Sequence, residues 1–286
     1  MTVQIIADSA CDLSEKHYSN YNIEMVSLAV QLEDENYEDA RTIFPKTIYQ
    51  AMREGKAPKT SQPTPQAFKD VFEKYAKDNK PCLYFALSSE LSGTYQSAKL
   101  AEQELKEEYP EWRLQIFDTK CVSLGLGLIV LRAAQLAQEG MEFNEIIDVT
   151  SYHIEHMEHI FTVDDLEYLY RGGRVSKTAA FVGTLLKIKP LLHVDGGKLI
   201  PLEKIRGSKK VLKRMIEIMD QRGQELSNQP IGISHGDDLE TANLLAEMIK
   251  EQFDNDDIHI EMVGSSVGSH AGPGTIALFF LNSPYK

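Results

Sequence analysis

Cysteine is scarce, and the three present stand apart. Cys11, Cys82 and Cys121 form no CxxC pair. An odd, dispersed set supports neither a disulfide framework nor a thiolate zinc site. Positive charge is in deficit: 30 Lys and Arg against 43 Asp and Glu leave a net charge of −13. That balance counts against general nucleic-acid binding and against anionic membrane surfaces as partners. Long apolar runs are missing as well. The most apolar stretch, around Leu124 to Leu131, holds Gly125 and Gly127 and is too short to span a bilayer. The chain opens on Val3-Gln4-Ile5-Ile6-Ala7 without a basic region and a long apolar core, so no secretory leader is expected and the expected location is the cytoplasm. Familiar catalytic signatures are lacking too. There is no GxSxG nucleophile elbow, no GxxxxGKS/T phosphate loop and no HExxH. Gly125-Leu126-Gly127 lacks a third glycine and sits inside an apolar helix, a poor dinucleotide fingerprint. His153, His156 and His159 recur at i, i+3, i+6, a spacing that drifts around a helix. A solvated helix end is expected there, and no metal site.

What is present is a strand–helix alternation. With 286 residues, 42% of them hydrophobic, the chain can bury a sizeable core and suggests two domains. Strands are expected at Val3 to Ala7, Ile23 to Leu32, Cys82 to Leu87 and Arg113 to Phe117. Glu33 to Asp39 reads as an exposed acidic turn. Helices are expected at Thr42 to Arg53, with Pro45 in the first turn, around Phe68 to Tyr75, at Val122 to Gln138 and at Met141 to Met157. Thr60-Ser61-Gln62-Pro63-Thr64-Pro65 must be extended, because the prolines forbid helix. This order predicts an α/β fold with a mostly parallel, doubly wound sheet. In such sheets ligands sit beyond the carboxyl ends of the strands, here at Asp8-Ser9, Ser88 to Thr94 and Asp118-Thr119. The second half reads as a strand at His159 to Val163, a short helix over Asp164 to Tyr170, and a helix over Lys177 to Leu186. A hairpin around Asp195-Gly196-Gly197 follows, then a basic stretch from Lys204 to Lys213. Ile231 to Ser234, Ile258 to Val263 and Ile276 to Leu281 are further strands, with a helix over Asp238 to Phe253 and a glycine-rich loop from Gly264 to Thr275. The domain break is expected at 156, giving domains 1–156 and 157–286.

The loop Ser88 to Thr94 joins a buried strand to a helix and carries Ser88, Ser89, Ser92, Gly93 and Thr94. Free hydroxyls and small residues at a helix start form a ready site for the acidic end of a ligand. Ordinary capping is the competing reading.

Five motifs come in one order along almost the whole chain: Asp8-Ser9, Thr60-Ser61-Gln62-Pro63, Leu91-Ser92-Gly93-Thr94-Tyr95-Gln96-Ser97-Ala98, Arg171-Gly172-Gly173-Arg174 with Lys189-Pro190, and His270-Ala271-Gly272-Pro273-Gly274-Thr275. Together they resemble the DegV family, the fatty-acid-binding proteins that act as lipid-carrying subunits of bacterial fatty acid kinase. The resemblance implies two α/β domains with a long-chain fatty acid between them and no other cofactor. It implies that Thr60, Ser92 and His270 hold the carboxylate, with Ser61, Gly93 and Thr94 as supporting loop. Arg171 and Arg174 match the segment implicated in docking to the kinase catalytic subunit. That subunit would phosphorylate the acid for phospholipid synthesis, so the chain would be a carrier and not itself an enzyme. Transient membrane contact is compatible with that role. The three loops carry no lysine or arginine of their own, Lys59 only flanking one, which implies a neutral polar cradle. The rival reading is a hydrolase or acyl transferase using Ser92 or His270, which needs a carboxylate to orient His270.

Overall fold

The computed structural model describes residues 2–176 and 188–285. The expected helix over Lys177 to Leu186 lies outside the described residues. A first strand, β1 (Gln4–Asp8), is buried at every position. It sits inside a parallel sheet of order β2-β1-β6-β7 with β2 (Glu24–Val26), β6 (Cys82–Ala86) and β7 (Leu114–Asp118). The central strands β1 and β6 are buried at every position because both faces are covered. Helices α3 (Pro65–Ala76) and α4 (Thr94–Glu108) close one face through Phe68, Phe72, Ala98, Ala101 and Leu105. Helix α5 (Leu124–Gln138) closes the other.

The extended run from Ile23 divides. It gives β2 and then β3 (Ala29–Leu32), which leaves for a separate antiparallel sheet of order β4-β3-β5. The acidic stretch expected as a turn in fact contains β4 (Glu35–Glu38), paired with β3 around a tight turn at Glu33-Asp34. β5 (Lys59–Ser61) is the extended segment before the prolines, and it pairs Thr60 with Val30. Short α1 (Glu15–Tyr21) and α2 (Pro45–Arg53, with proline in its first turn) complete this half with α6 (Phe143–His156). α6 starts anew after Gly140, with a capping box between Glu142 and Glu145.

Among the described residues, the strands from Met157 onward enter one six-stranded sheet of order β10-β9-β8-β13-β11-β12. These are β8 (Met157–Thr162), β9 (Ile188–Asp195), β10 (Lys198–Arg206), β11 (Ile231–His235), β12 (Ile258–Met262) and β13 (Ile276–Leu281). Only β11 and β12 pair in parallel. Helices α8 (Ser208–Arg222) and α9 (Leu239–Phe253) cover its outer face. α7 (Glu167–Arg171) is the short helix before the Gly172-Gly173 turn. The stretch Gly264 to Thr275, expected as a loop, folds over Ser265–Ala271 into helix α10.

Helix α5 joins the halves. It is apolar apart from Arg132, Gln135 and Gln138 on its second half, and packs against β1 on one side and β8, β11 and β13 on the other. Its glycines permit the approach. A Cβ on Gly125 would stand 2.4 Å from His159 Nε2, and one on Gly127 would stand 2.6 Å from the Cys11 carbonyl.

Candidate functional site

Beyond the carboxyl end of β6 the chain turns through Ser88 to Thr94. Gly93 is the N-cap of α4 and has no side chain to cap it. Ser92 Oγ meets Thr94 Oγ1 at 2.9 Å and accepts one long bond from Thr94 N at 3.3 Å. Ser92 thus accepts from a first-turn amide of α4 and also lines a cavity. Two of the three loops placed by the doubly wound rule serve as braces. Asp8 is fully buried and accepts from Leu87 N, Ala10 N and Tyr84 Oη. Burial pushes its carboxyl up to about 7. Asp118 accepts from Ser89 N and Ser89 Oγ at 3.0 and 2.5 Å. Desolvation would raise its pKa, but Lys120 and Ser89 hold it below the usual carboxylate range.

The cavity has a volume of about 110 Å³. Its walls are mostly apolar and come from both halves: Leu28 and Leu87, then Phe161, Leu199, Val267 and Phe279. Polar side chains gather on it too, Thr60, Ser61, Gln62, Ser92, Arg174 and His270 among them. Thr60 Oγ1 and His270 Nε2 lie 2.6 Å apart although 210 residues separate them in sequence. β5 supplies the threonine and α10 the histidine. Gly172 gives His270 its room, since a Cβ there would fall 2.1 Å from His270 Nδ1. That Nδ1 is buried without a hydrogen-bond partner. Burial first, and the Arg174 charge second, push the imidazole down to about 4, so it is neutral at pH 7.

The cradle is not neutral, contrary to expectation. Arg174 is half-buried on the cavity wall, where Nε donates to the Leu91 carbonyl at 2.9 Å and Nη1 to the Gly172 carbonyl. It comes from a loop distant in sequence, which a census of the three loops could not include. Arg171 is exposed, its guanidinium 5.0 Å from the Tyr168 ring. Thr94 is buried, Ser61 is exposed at the cavity edge, and Gly93 faces the Gln62 side chain.

The rival hydrolase requirement is unmet: no carboxylate bonds His270 among the described residues. The three spaced histidines are not a solvated helix end. His153 is buried on α6, His156 bonds Asn282, and His159 lies in β8, where burial pushes it down to about 4. Its ring forms part of the cavity wall against Phe279. No cluster of three metal-ligating side chains occurs among the described residues. Among those residues, no helix is long and apolar enough to cross a membrane.

The model of the DegV family, described as an uncharacterised protein family, matches residues 2–283. The chain belongs to the DegV family. A DegV domain-containing protein of Clostridium perfringens is 41% identical over 280 residues, covering 97% of this chain and 96% of the relative. Among solved structures, a fatty-acid-binding DegV family protein of Thermus thermophilus superposes with a TM-score of 0.89 at 31% identity, covering 98% of this chain and 99% of that one. A stearic-acid-binding protein of Eubacterium ventriosum gives a TM-score of 0.88 at 26% identity over 97% of both chains. DegV-family structures thus bind fatty acids in this fold. The apolar wall residues were not singled out in the sequence, because an apolar residue facing a cavity has the same local pattern as one facing the core.

Proposed function

We propose that this chain binds a long-chain fatty acid and presents its carboxylate to a fatty acid kinase catalytic subunit. The observation that carries the reading is an apolar cavity meeting the Thr60–His270 pair, whose imidazole is neutral and keeps one buried nitrogen unpartnered. The tail lies along the apolar wall. Burying about fourteen methylenes is worth roughly 11 kcal/mol before ordering costs. A buried carboxylate without partners costs several kcal/mol. The hydroxyls of Thr60 and Ser92, with His270, offset that cost through charge-assisted hydrogen bonds of roughly 1.5–3 kcal/mol each.

In the reaction the carboxylate oxygen attacks the terminal phosphorus of a nucleoside triphosphate held by the partner. A bond from phosphorus to that carboxylate oxygen forms, the bond to the bridging oxygen breaks, and the nucleoside diphosphate leaves with it. The product is an acyl phosphate for phospholipid synthesis. The chain carries no phosphate loop of its own, which suits a carrier. On this reading residues 1–156 and 157–286 act as two domains closing on the lipid. Arg171 and Arg174 mark the face that docks the kinase.

Mass spectrometry of the purified protein, native and then denatured, tests the binding. One fatty acid of added mass, lost on denaturation, is expected. A clean apo mass with no uptake of added fatty acid would refute it.

A further inference from the structure

A second cavity, of about 440 Å³, also borders the Thr60–His270 pair. Its lining includes Thr60, Arg174 and His270, which also line the apolar cavity, together with Lys59, Arg171 and Ser269. Those three shared residues are the partition between the two spaces. The outer lining holds three cations and no carboxylate. Among the described residues these cations have no carboxylate partner. Among the described residues Arg174 bonds backbone carbonyls alone, Arg171 lies over the Tyr168 ring, and neither they nor Lys59 form an ion pair. Elsewhere on this acidic chain, cations such as Lys99, Arg214 and Arg222 sit against carboxylates. Leaving three positive charges around one cavity, in a protein of net charge −13, keeps that space selective for an anion.

We infer that this outer cavity holds the phosphoryl group of the acyl phosphate. The inference rests on the fatty-acid reading of the inner cavity. An acyl phosphate is a linear series of apolar tail, carboxyl and dianionic phosphoryl. The protein offers matching zones in the same order: the apolar wall, then Thr60, Arg174 and His270, then Lys59 and Arg171. Arginine suits phosphoryl oxygens by its fork of donors, and lysine as a point charge. Arg174, placed at the partition, reaches the bridging region and Lys59 and Arg171 reach the terminal oxygens. The fatty acid itself has no group for the outer cations.

The probe is a long-chain 2-oxoalkylphosphonate, in which a methylene replaces the bridging oxygen, compared with the fatty acid of equal chain length. The variant is Lys59→Gln with Arg171→Gln, which leaves Thr60, Ser92, Arg174 and His270 intact. The double variant should bind the fatty acid as the wild type does and the phosphonate at least tenfold more weakly. Equal phosphonate affinity in the two proteins would overturn the inference, and slowed kinase-dependent phosphorylation in that case would assign the two cations to protein docking. A parallel loss for both ligands would overturn it as well. Should the wild type take up no fatty acid, the carrier reading fails, and ³¹P line broadening of inorganic phosphate then tests the outer cavity alone. Broadening that the double variant abolishes supports the anion site; none in the wild type refutes it.

Discussion

Thr60 and His270 illustrate what single residues contribute. Each hydrogen bond to a buried charge is worth roughly 1.5–3 kcal/mol. Thr60→Ala and Ser92→Ala should therefore each weaken fatty-acid binding by about tenfold to a hundredfold, read by competition with a fluorescent fatty acid. The same Ser92→Ala protein checks the rival chemistry: acyl esters should be turned over by neither wild type nor variant. Thr60, Ser92 and His270 were reached through the resemblance to the DegV family; the residues alone marked only the hydroxyl-rich loop around Ser92, and left it open to ordinary capping. Arg174 was legible as a charge but not as a wall of the cavity. Only the turn at Gly172-Gly173 brings its guanidinium back onto the Leu91 carbonyl.

At the level of elements, α7 and α10 pack so closely that Gly172 leaves no space beside His270. Gly172 has an ordinary helical conformation, φ −71° and ψ −12°, so alanine there is a purely steric change. Gly172→Ala should retain the fold by circular dichroism yet displace His270 and lower fatty-acid affinity at least tenfold. Two elements escaped sequence reading for physical reasons. α10 holds Gly268 and three serines, weak helix formers, and is stabilised by packing, with Gly268 against the Tyr49 hydroxyl. β4 is an exposed edge strand whose glutamates look like a turn, although charge on an edge strand is the usual defence against unwanted pairing. The parallel strands, buried and continuous, were readable from their apolar runs alone.

Across the whole molecule, two sets of buried groups oppose each other as pH falls. Burial pushes His153, His159 and His270 down to about 4. The unfolded chain takes up those protons near pH 6.5 and the folded chain does not, so stability from the histidines is lost on acidification from about 6.5 to about 4. Burial raises Asp8 to about 7, and Asp12 and Asp39 also upward. There the folded chain binds protons first, which adds stability as pH falls toward the unfolded value near 3.8. The two trends offset one another. Asp8→Asn removes one of the compensating protons. Its overall stability should be lower, because an amide meets the Leu87 N–H. Its loss on acidification between pH 7 and 4 should also be steeper than wild type by up to about 1.4 kcal/mol per pH unit, measured by urea unfolding.

The bond between Thr60 and His270 spans 210 residues, and Tyr49 Oη donates across 214 residues to the Val263 carbonyl. At a synthesis rate of roughly 5–20 residues per second, about 10 to 40 s separate the two halves of the cradle on the ribosome. A growing chain has β5 long before it has α10. The cavity between the halves is therefore a property of the finished polypeptide, and a nascent chain halted before Ser265 has the parallel sheet but lacks the His270 side of the cavity.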